Sequence, residues 1–210
     1  FADTYGSLMT VTVPAGLDEA VSAFLPTFGM NARQLEMMMR VAQILTQKYD
    51  VVCTNPPYMG GSGMNATLSN FIKKNYPDYK SDLFSAFVIK CMEMAKSEGY
   101  LGFLTPYVWM FIQSYEKMRN YIYHTRTIET LIQIEYSAFE EATVPICTFV
   151  LKNSKVCKNG AYVRLAEFHG GMELQRQKTL EAIANHKCSF YYERNTENFS
   201  KIPGSPVAYW

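Results

Sequence analysis

The alternation of apolar and polar positions predicts helices and strands that follow one another along most of the chain. Residues 31–48 contain no glycine or proline, and Leu35, Met38 and Ala42 are spaced by three or four, which is typical of an amphipathic helix with its apolar face in a core. Residues 51–54 are a short apolar run that predicts a buried strand. The same patterns predict further helices at 66–74, 81–96, 115–124 and 172–185, and further strands at 100–105, 128–134, 147–151 and 161–168.

The predicted strands are apolar at nearly every position, which is typical of strands buried on both faces of a sheet. Because helices alternate with these strands, the pattern predicts an α/β fold with a mostly parallel sheet and helices on both faces. The sequence becomes polar and rich in turn residues after Asn153. We therefore predict two parts, a main part at 1–153 and a smaller region at 154–210.

Composition narrows the classes of protein that this chain can belong to. The 210 residues are 48% hydrophobic, enough for a sizeable core, but their formal net charge of +1 gives no global attraction to nucleic acid. The sequence has no apolar run of about 18 residues, so we expect no membrane span. The five cysteines form no C-x-x-C pair and the three histidines are scattered, which argues against a metal site and favours a reducing, cytoplasmic location.

The end of the first predicted strand carries residues that could take part in a reaction. The strand runs into Asn-Pro-Pro-Tyr, and two adjacent prolines cannot continue a sheet ladder. In a doubly wound sheet such a strand end is where ligands bind. There the side-chain oxygen of Asn55 and the carbonyl oxygen of Pro56 could accept both hydrogens of a planar amine. Pro56 and Pro57 make the turn rigid, and Tyr58 offers a flat ring for stacking.

Holding both hydrogens would push the nitrogen of an exocyclic amine, such as N6 of adenine, towards sp3 geometry and free its lone pair for attack. This scheme needs no general base, which suits a turn with no histidine near it in sequence. The alternative is a rigid loop corner in which Asn55 bonds its own backbone. The apolar strand before the turn and the tyrosine after it favour the amine-binding interpretation.

Several motifs around this turn carry a resemblance to a known family. They are Lys-Ser-Asp-Leu-Phe at 80–84, Gly-Tyr-Leu-Gly-Phe-Leu-Thr-Pro-Tyr-Val-Trp at 99–109 and Val-Pro-Ile-Cys-Thr-Phe-Val-Leu-Lys at 144–152. Together with Asn-Pro-Pro-Tyr they resemble the gamma-type adenine-N6 DNA methyltransferases. The resemblance implies a Rossmann-like core that uses S-adenosylmethionine to methylate an adenine flipped out of double-stranded DNA.

The resemblance also implies roles for individual side chains. Asp82 and Phe84 would lie beside the adenine of S-adenosylmethionine. The pocket of the flipped base would be lined by Tyr107, Trp109 and Phe139. From the residues alone, Asp82 also suits the first turn of a helix, and the aromatic residues also suit a core.

A narrower resemblance, to the adenine methyltransferases of BREX phage-defence systems, covers most of the chain. It is carried by Tyr-Gly-Ser-Leu at 5–8, the helix before Tyr49, and the segments 75–84, 114–119 and 202–210. It implies a role in restriction-modification or phage defence, with double-stranded DNA as a partner and other phage-defence proteins as further candidates.

One motif of the family has no counterpart in this sequence. The family binds S-adenosylmethionine with a glycine-rich turn after its first strand, whereas Gly-Gly-Ser-Gly at 60–63 follows the Asn-Pro-Pro-Tyr turn. This departure implies an internal piece of such an enzyme, truncated at the N-terminal side of the core. We expect the isolated piece to be inactive, and a DNA-recognition or accessory region to begin at 154.

Three lysines, Lys73, Lys74 and Lys80, cluster around two tyrosines. Such a cluster is typical of a solvated surface, but beside a site for a flipped base it also suits contacts with DNA phosphates. Two other functions remain open at this point. One is methylation of another planar amine, on RNA adenine or protein glutamine. The other is a DNA-binding or partner-binding module without catalysis.

Overall fold

A computed structural model describes most of the chain, in two compact units. The residues described are 2–12, 15–16, 19, 32–136, 138 and 144–210. The units are Phe1–Tyr49 and Asp50–Trp210. All of the predicted site residues belong to the second unit.

The first unit contains helix α1, Ala2–Tyr5, and helix α2, Ala32–Thr46. The helix predicted at 31–48 is therefore confirmed. The prediction that its apolar face lies in a core is wrong for Met38, which is 69% exposed. The spacing of apolar residues predicts a helix with an apolar face, but the described residues of this unit are too few to cover that face.

The second unit contains helices and strands in nearly the predicted succession. The strands are β1 Tyr49–Thr54, which begins with the last residue of the first unit, β2 Ala95–Pro106, β3 Thr127–Gln133, β4 Ile146–Lys152, β5 Gly160–Arg164 and β6 Tyr191–Arg194. The helices are α3 Ala66–Asn75, α4 Leu83–Met94, α5 Glu116–Thr125, α6 Gly171–Ala184 and α7 Thr196–Phe199. The predicted elements between 51 and 185 are confirmed, with ends that differ by a few residues. Strand β6 and helix α7 are additions.

The six strands form one mixed sheet in the order β1-β2-β4-β3-β5-β6. Strand β4 runs antiparallel to both β2 and β3, β5 runs parallel to β3, and β6 runs antiparallel to β5. The α/β fold is confirmed, but the prediction of a mostly parallel sheet is wrong for these strands. An apolar run indicates a strand buried on both faces, and that pattern is the same whichever way the strand runs.

Three strands end at the same edge of this sheet. Since β2 and β3 are both antiparallel to β4, they run parallel to each other, and β5 is parallel to β3. We call the edge formed by their C-terminal ends the carboxyl edge. The turn after β1 reaches this edge too, because the Tyr58 hydroxyl contacts the carbonyl oxygen of Leu104, near the end of β2.

The sheet continues across the boundary predicted near Asn153. Strand β5, on the far side of that residue, pairs with β3. The Asn153 side-chain amide donates to the carbonyl oxygens of Met92, Ala95 and Lys96, where α4 ends and β2 begins. The structure therefore does not divide at this point, because the polar stretch joins two strands of one sheet. A DNA-recognition or accessory role for 154–210 stays a prediction.

Strand β1, which leads into the turn, lies at one end of the strand order and neighbours β2. A Cβ atom on Gly102 of β2 would lie only 3.1 Å from the Cys53 sulfur of β1, so glycine allows the two strands to approach closely. Val51, in β1, is 63% exposed and no residue of β1 is buried, so the prediction that this strand is buried is wrong. Within the described sheet, β1 is therefore an edge strand held by β2.

Candidate active site

The Asn-Pro-Pro-Tyr turn exposes its asparagine and anchors its tyrosine. Asn55 and Pro57 are exposed, whereas Pro56 is buried and Tyr58 is half-buried. The Tyr58 hydroxyl donates to Oδ1 of Asn55 at 2.7 Å and lies 3.2 Å from the carbonyl oxygen of Leu104. These contacts tie the turn to the end of the neighbouring strand.

The hydrogen bond from Tyr58 orients the asparagine amide. Because Oδ1 of Asn55 accepts this bond and an amide oxygen has two lone pairs, it can accept a second bond from a ligand. Burial raises the pKa of Tyr58, with a smaller contribution from Cys147. The hydroxyl therefore stays protonated at neutral pH and remains a donor. The turn offers the exposed, oriented acceptor that the predicted role of Asn55 requires.

The ring of Tyr58 packs partly against the core at the carboxyl edge. It contacts a cluster formed by Ile134, Ala138 and Ile146. It also meets the ring of Phe84 edge to face, with centroids 6.4 Å apart and an interplanar angle of 86°. Tyr58 as a whole is half-buried, so these contacts do not fully enclose the residue.

Asp82 connects the start of α4 to the residue that follows the turn. Its Oδ1 accepts hydrogen bonds from the backbone N–H of Met59 at 2.9 Å and of Phe84 at 3.2 Å. The N–H of Leu83 donates to the Met59 carbonyl oxygen at 2.9 Å. Burial raises the pKa of the Asp82 carboxyl, although its backbone hydrogen bonds lower it. Asp82 therefore caps a helix and clamps the turn at the same time.

Phe84 is enclosed by other aromatic rings. Its side chain is 0% exposed, and it stacks on Tyr115 with centroids 5.5 Å apart and an angle of 27°. The edge of Tyr58 covers it from another side. These contacts describe a core residue, the alternative that the helix position also allows. Contact between Phe84 and S-adenosylmethionine stays a prediction.

The aromatic residues predicted to line the base pocket follow the end of β2. Tyr107 is half-buried, and its backbone N–H donates to the carbonyl oxygen of Pro145 at 3.0 Å. Trp109 is 0% exposed and packs on the ring of Phe149 with centroids 4.9 Å apart. The structure thus brings Tyr107 to the carboxyl edge and places Trp109 inside the core. Phe139 lies outside the described residues.

The three predicted phosphate-contacting lysines lie on the surface. Lys73 and Lys74 are exposed in the last turn of α3, and Lys80 is exposed just before α4. Lys80 lines a surface cavity together with Ser81 and Lys117. Both of the interpretations made from sequence, a solvated surface and a phosphate-binding surface, agree with these positions.

Sequence analysis does not single out Arg119, although the residue lies in the BREX-like segment 114–119. The side chain is 0% exposed and donates to carbonyl oxygens of Trp109 and Gly204. A charged residue on an amphipathic helix usually indicates the solvent side. Apart from the resemblance of the segment, no signal in the sequence distinguishes this buried arginine from an exposed one.

Among the described residues, no helix is both long enough and apolar enough to cross a membrane. Over the same ranges, no three or more His, Cys, Asp and Glu side chains are grouped so that they could hold a metal ion. The polar side chains that meet around the turn are an amide, a phenol and a carboxylate.

One mixed α/β sheet with the Asn-Pro-Pro-Tyr turn at its carboxyl edge defines the fold class of this chain. A solved structure shares this fold: the methyltransferase subunit of a type I restriction-modification system from Streptococcus thermophilus. The TM-score is 0.58 at 17% sequence identity, and the match covers 77% of this chain and 37% of that chain.

Sequence similarity leads from this class to one family. The Eco57I restriction-modification methylase family matches residues 21–139. The adenine-specific methyltransferase PglX of Lacticaseibacillus casei is 35% identical over 181 residues, which are 84% of this chain and 15% of that protein. The adenine-specific methyltransferase BrxX of Escherichia coli strain HS is 33% identical over 224 residues, covering 100% of this chain and 18% of that protein. The chain belongs to the Eco57I restriction-modification methylase family.

These similarities confirm the resemblance to adenine-specific methyltransferases of the BREX type. The chain spans 15% and 18% of the lengths of the two relatives. Both relatives therefore contain long stretches that have no counterpart in this chain.

Proposed function

We propose that the protein containing this chain is a DNA adenine-N6 methyltransferase that uses S-adenosylmethionine. One observation carries the proposal: Oδ1 of Asn55 is exposed at the carboxyl edge and is oriented by the Tyr58 hydroxyl at 2.7 Å. Membership of a restriction-modification methylase family supports DNA as the substrate. The two relatives described above, both adenine-specific, support adenine as the target base.

The turn acts on the lone pair of the target amine. In adenine this lone pair is delocalised into the ring, so the amine is a poor nucleophile. Asn55 accepts one N6 hydrogen and the carbonyl oxygen of Pro56 accepts the other, and the nitrogen moves towards tetrahedral geometry. Acceptors that are already in position require no reorganisation during the reaction. The proton released from the methylated amine passes to water, so no general base is required.

When bound, S-adenosylmethionine supplies an electrophilic methyl carbon. Asp82 fits a role in holding the adenine amine of this cofactor, because a carboxylate has about four lone-pair sites. The backbone contacts of Met59 and Phe84 use only Oδ1 of Asp82. Phe84 fits a direct contact less well, since its ring is 0% exposed. In this arrangement Asp82 is the candidate for cofactor contact, and Phe84 supports it from the core.

In this proposal the flipped base stacks on the ring of Tyr58, and Tyr107 lies at the same carboxyl edge. Stacking of a base on an aromatic side chain is worth about 1–3 kcal/mol and does not depend on which base is stacked. Selection of an amine comes instead from Asn55 and Pro56, because two acceptors repel the carbonyl oxygen that guanine or thymine presents in the corresponding position.

Two acceptors would also hold the amine of an RNA adenine or of a protein glutamine, so the substrate class must be tested directly. A binding module without catalysis is disfavoured by the complete Asn-Pro-Pro-Tyr turn, whose acceptor is exposed and oriented. A cytoplasmic place of action and contacts with other phage-defence proteins are part of the same proposal, through the family and the relatives.

The proposal is tested by Asn55→Ala in the full-length protein. Methyl transfer to duplex DNA should fall about 100- to 1000-fold, because one of the two preorganised acceptors is lost. Incorporation of labelled methyl groups into duplex DNA, RNA and a glutamine-containing peptide measures both the rate and the substrate class.

Asn65→Ala is the matched control. Asn65 is exposed as well, but its side chain caps α3 by accepting from the N–H of Leu68 at 2.8 Å. This variant should lose about 1 kcal/mol of stability and keep its methylation rate. Near-normal methylation by Asn55→Ala would contradict the proposal, and so would a wild-type protein that methylates only RNA or the peptide.

We also propose that Lys73, Lys74 and Lys80 contact DNA phosphates. Reversing their charges should reduce the slope of log affinity against log salt concentration by about 0.9 for each phosphate contact that is lost. An unchanged slope assigns these lysines to the solvated surface.

A further inference from the structure

Two segments that the amine-binding turn does not use meet around a single side chain. They are 114–119 and 202–210, both of which resemble the BREX enzymes in sequence. Arg119, at the end of the first segment, is 0% exposed. Its guanidinium donates only to backbone carbonyl oxygens among its described hydrogen-bond partners, and two of these belong to the second segment.

The guanidinium bridges two pieces of chain that are far apart in sequence. Nη1 donates to the carbonyl oxygens of Trp109 at 2.6 Å and Ile112 at 2.7 Å, in the segment that follows β2. Nε and Nη2 donate to the carbonyl oxygens of Ser205 at 3.0 Å and Gly204 at 2.6 Å. Only a planar group with several fixed donors can serve four carbonyl oxygens in this way. A lysine ammonium has three hydrogens and no fork.

The tail shows a backbone conformation suited to this contact. Gly204 and Ser205 have φ angles of +76° and +48°, and the second of these is uncommon for a residue with a side chain. The Ser205 carbonyl oxygen also accepts from the Tyr123 hydroxyl at 3.1 Å. Such a conformation persists where surrounding contacts hold it. The tight turn is therefore maintained by the side chains of α5.

Beyond this turn, the tail runs along the segment that follows β2. The N–H of Val207 donates to the carbonyl oxygen of Met110 at 2.9 Å. The ring of Trp210 meets that of Phe111 with centroids 5.6 Å apart. The contacted segment, 107–112, includes Tyr107, the predicted base-pocket residue that the structure brings to the carboxyl edge.

We propose that Arg119 is a positioning residue for the target base: it fixes 107–112 against 202–210 and so makes the tail part of the wall of the base pocket. The inference rests on the proposed function, because it concerns the pocket for the flipped adenine. The four hydrogen bonds of Arg119 end on Trp109, Ile112, Gly204 and Ser205, and none of them reaches Asp82. Loosening this contact between 107–112 and 202–210 should therefore impair the use of DNA more than the binding of S-adenosylmethionine.

Arg119→Lys in the full-length protein tests this proposal. A misplaced pocket wall should lower kcat/KM for duplex DNA about 100-fold, with KM for S-adenosylmethionine changed less than about twofold. A duplex with 2-aminopurine at the methylated position, mapped first by sequencing, should show a smaller fluorescence increase on binding the variant, because less of the base is flipped.

Thr127→Val is the matched control. It removes a hydrogen bond of a buried residue outside both segments, from the Thr127 hydroxyl to the carbonyl oxygen of Ser154 at 2.8 Å, and leaves the bonds of Arg119 in place. This variant should keep its DNA kinetics. Equal losses in both variants would overturn the proposal in favour of a general loss of stability, and unchanged DNA kinetics in Arg119→Lys would overturn it as well.

If Arg119→Lys does not fold, hydrogen exchange in the unaltered protein provides the test. The amides of Phe111 and Ile112 donate to Val108, and that of Val207 donates to Met110. If the contact between 107–112 and 202–210 opens as one unit, all three amides should have the same free energy of opening. Independent opening of Val207 would overturn the proposal. Failure of the proposed function itself is recognised separately, by near-normal methylation in Asn55→Ala.

Discussion

The turn at 55–58 and the start of α4 at 82–84 lie side by side at the carboxyl edge, yet their polar groups are used in opposite ways. Oδ1 of Asn55 is exposed and accepts one described hydrogen bond, from Tyr58. Oδ1 of Asp82 is half-buried and accepts two, from backbone N–H groups. Tyr58 is half-buried, whereas Phe84 is 0% exposed.

This contrast separates groups that can act on a ligand from groups that support them. An exposed acceptor with an unused lone pair can bind an incoming donor, whereas Oδ1 of Asp82 is already used by backbone N–H groups and leaves Oδ2 for the proposed cofactor contact. The helix start holds Met59, the residue directly after the turn. Substitution of Asn55 should therefore change the rate at nearly constant stability, and substitution of Phe84 should mainly change stability.

The largest effect is expected when Phe84 is replaced. Phe84→Ala should lower the free energy of unfolding by about 3–5 kcal/mol, because it removes a fully buried ring and leaves a cavity. Phe71→Ala, at a half-buried ring of α3, is the control and should lose less. Denaturant titration of both variants measures the difference.

The contrast between the turn and the start of α4 would be contradicted if Phe84→Ala retained its stability and instead bound S-adenosylmethionine more weakly. That result would show that the ring contacts the cofactor, as the family resemblance implies. It would also require a conformation in which Tyr115 or Tyr58 leaves the ring of Phe84.

An intermediate effect is expected from Tyr58→Phe. This variant keeps the ring but removes the donor that orients Asn55, and a hydrogen bond of this kind contributes about 0.5–1.5 kcal/mol. Methyl transfer should slow by up to about tenfold. Tyr49→Phe, at the other end of β1, removes a hydroxyl that donates to the Ile44 carbonyl oxygen at 2.8 Å and should leave the rate unchanged. A wild-type rate for Tyr58→Phe would show that Asn55 needs no orienting partner.

The smallest effect is a change in pH dependence when Asp82 is replaced. Since burial raises the pKa of this carboxyl in the folded state, the folded protein binds more protons than the unfolded chain between the two pKa values. The contribution of Asp82 to stability is therefore complete at low pH and is lost as pH rises through the folded pKa. Asp82→Asn, which keeps an oxygen acceptor, should remove this dependence of the free energy of unfolding on pH. Unfolding free energies measured from pH 3 to 7 would show an unchanged slope if Asp82 does not titrate in this way.

The sequence predicts elements of this fold better than it predicts their arrangement. Helix α4 follows from apolar spacing alone, although the folded chain buries Ser85 and Lys90 as well as its apolar residues. The direction of β4 does not follow, since its apolar residues face a core on both sides whichever way the strand runs. The same limit applies to α2, whose pattern predicts an apolar face but not what covers it.

The residues of the candidate site also differ in how far they can be predicted from the sequence. Asn55 and Tyr58 can be predicted because a strand that ends on two prolines has a rigid, chemically distinct tip. The hydrogen bond that Asp82 accepts from Met59 cannot be predicted in this way, because only the folded chain brings these two residues together. The hydrogen bonds of Arg119 depend on carbonyl oxygens from a tail whose apolar residues show weak periodicity. Every residue has a carbonyl oxygen, so the sequence does not indicate which of them an arginine contacts.

The position of β1 at the end of the strand order has a practical consequence. Within the described residues, the strand that presents Asn55 offers the outer row of its backbone N–H and C=O groups, next to an exposed Val51, as a template for another chain. Self-association of the isolated polypeptide would then reflect the addition of a strand along the outer side of β1. Oligomeric state and solubility are therefore best compared between proteins in which the outer side of β1 is covered and proteins in which it is not.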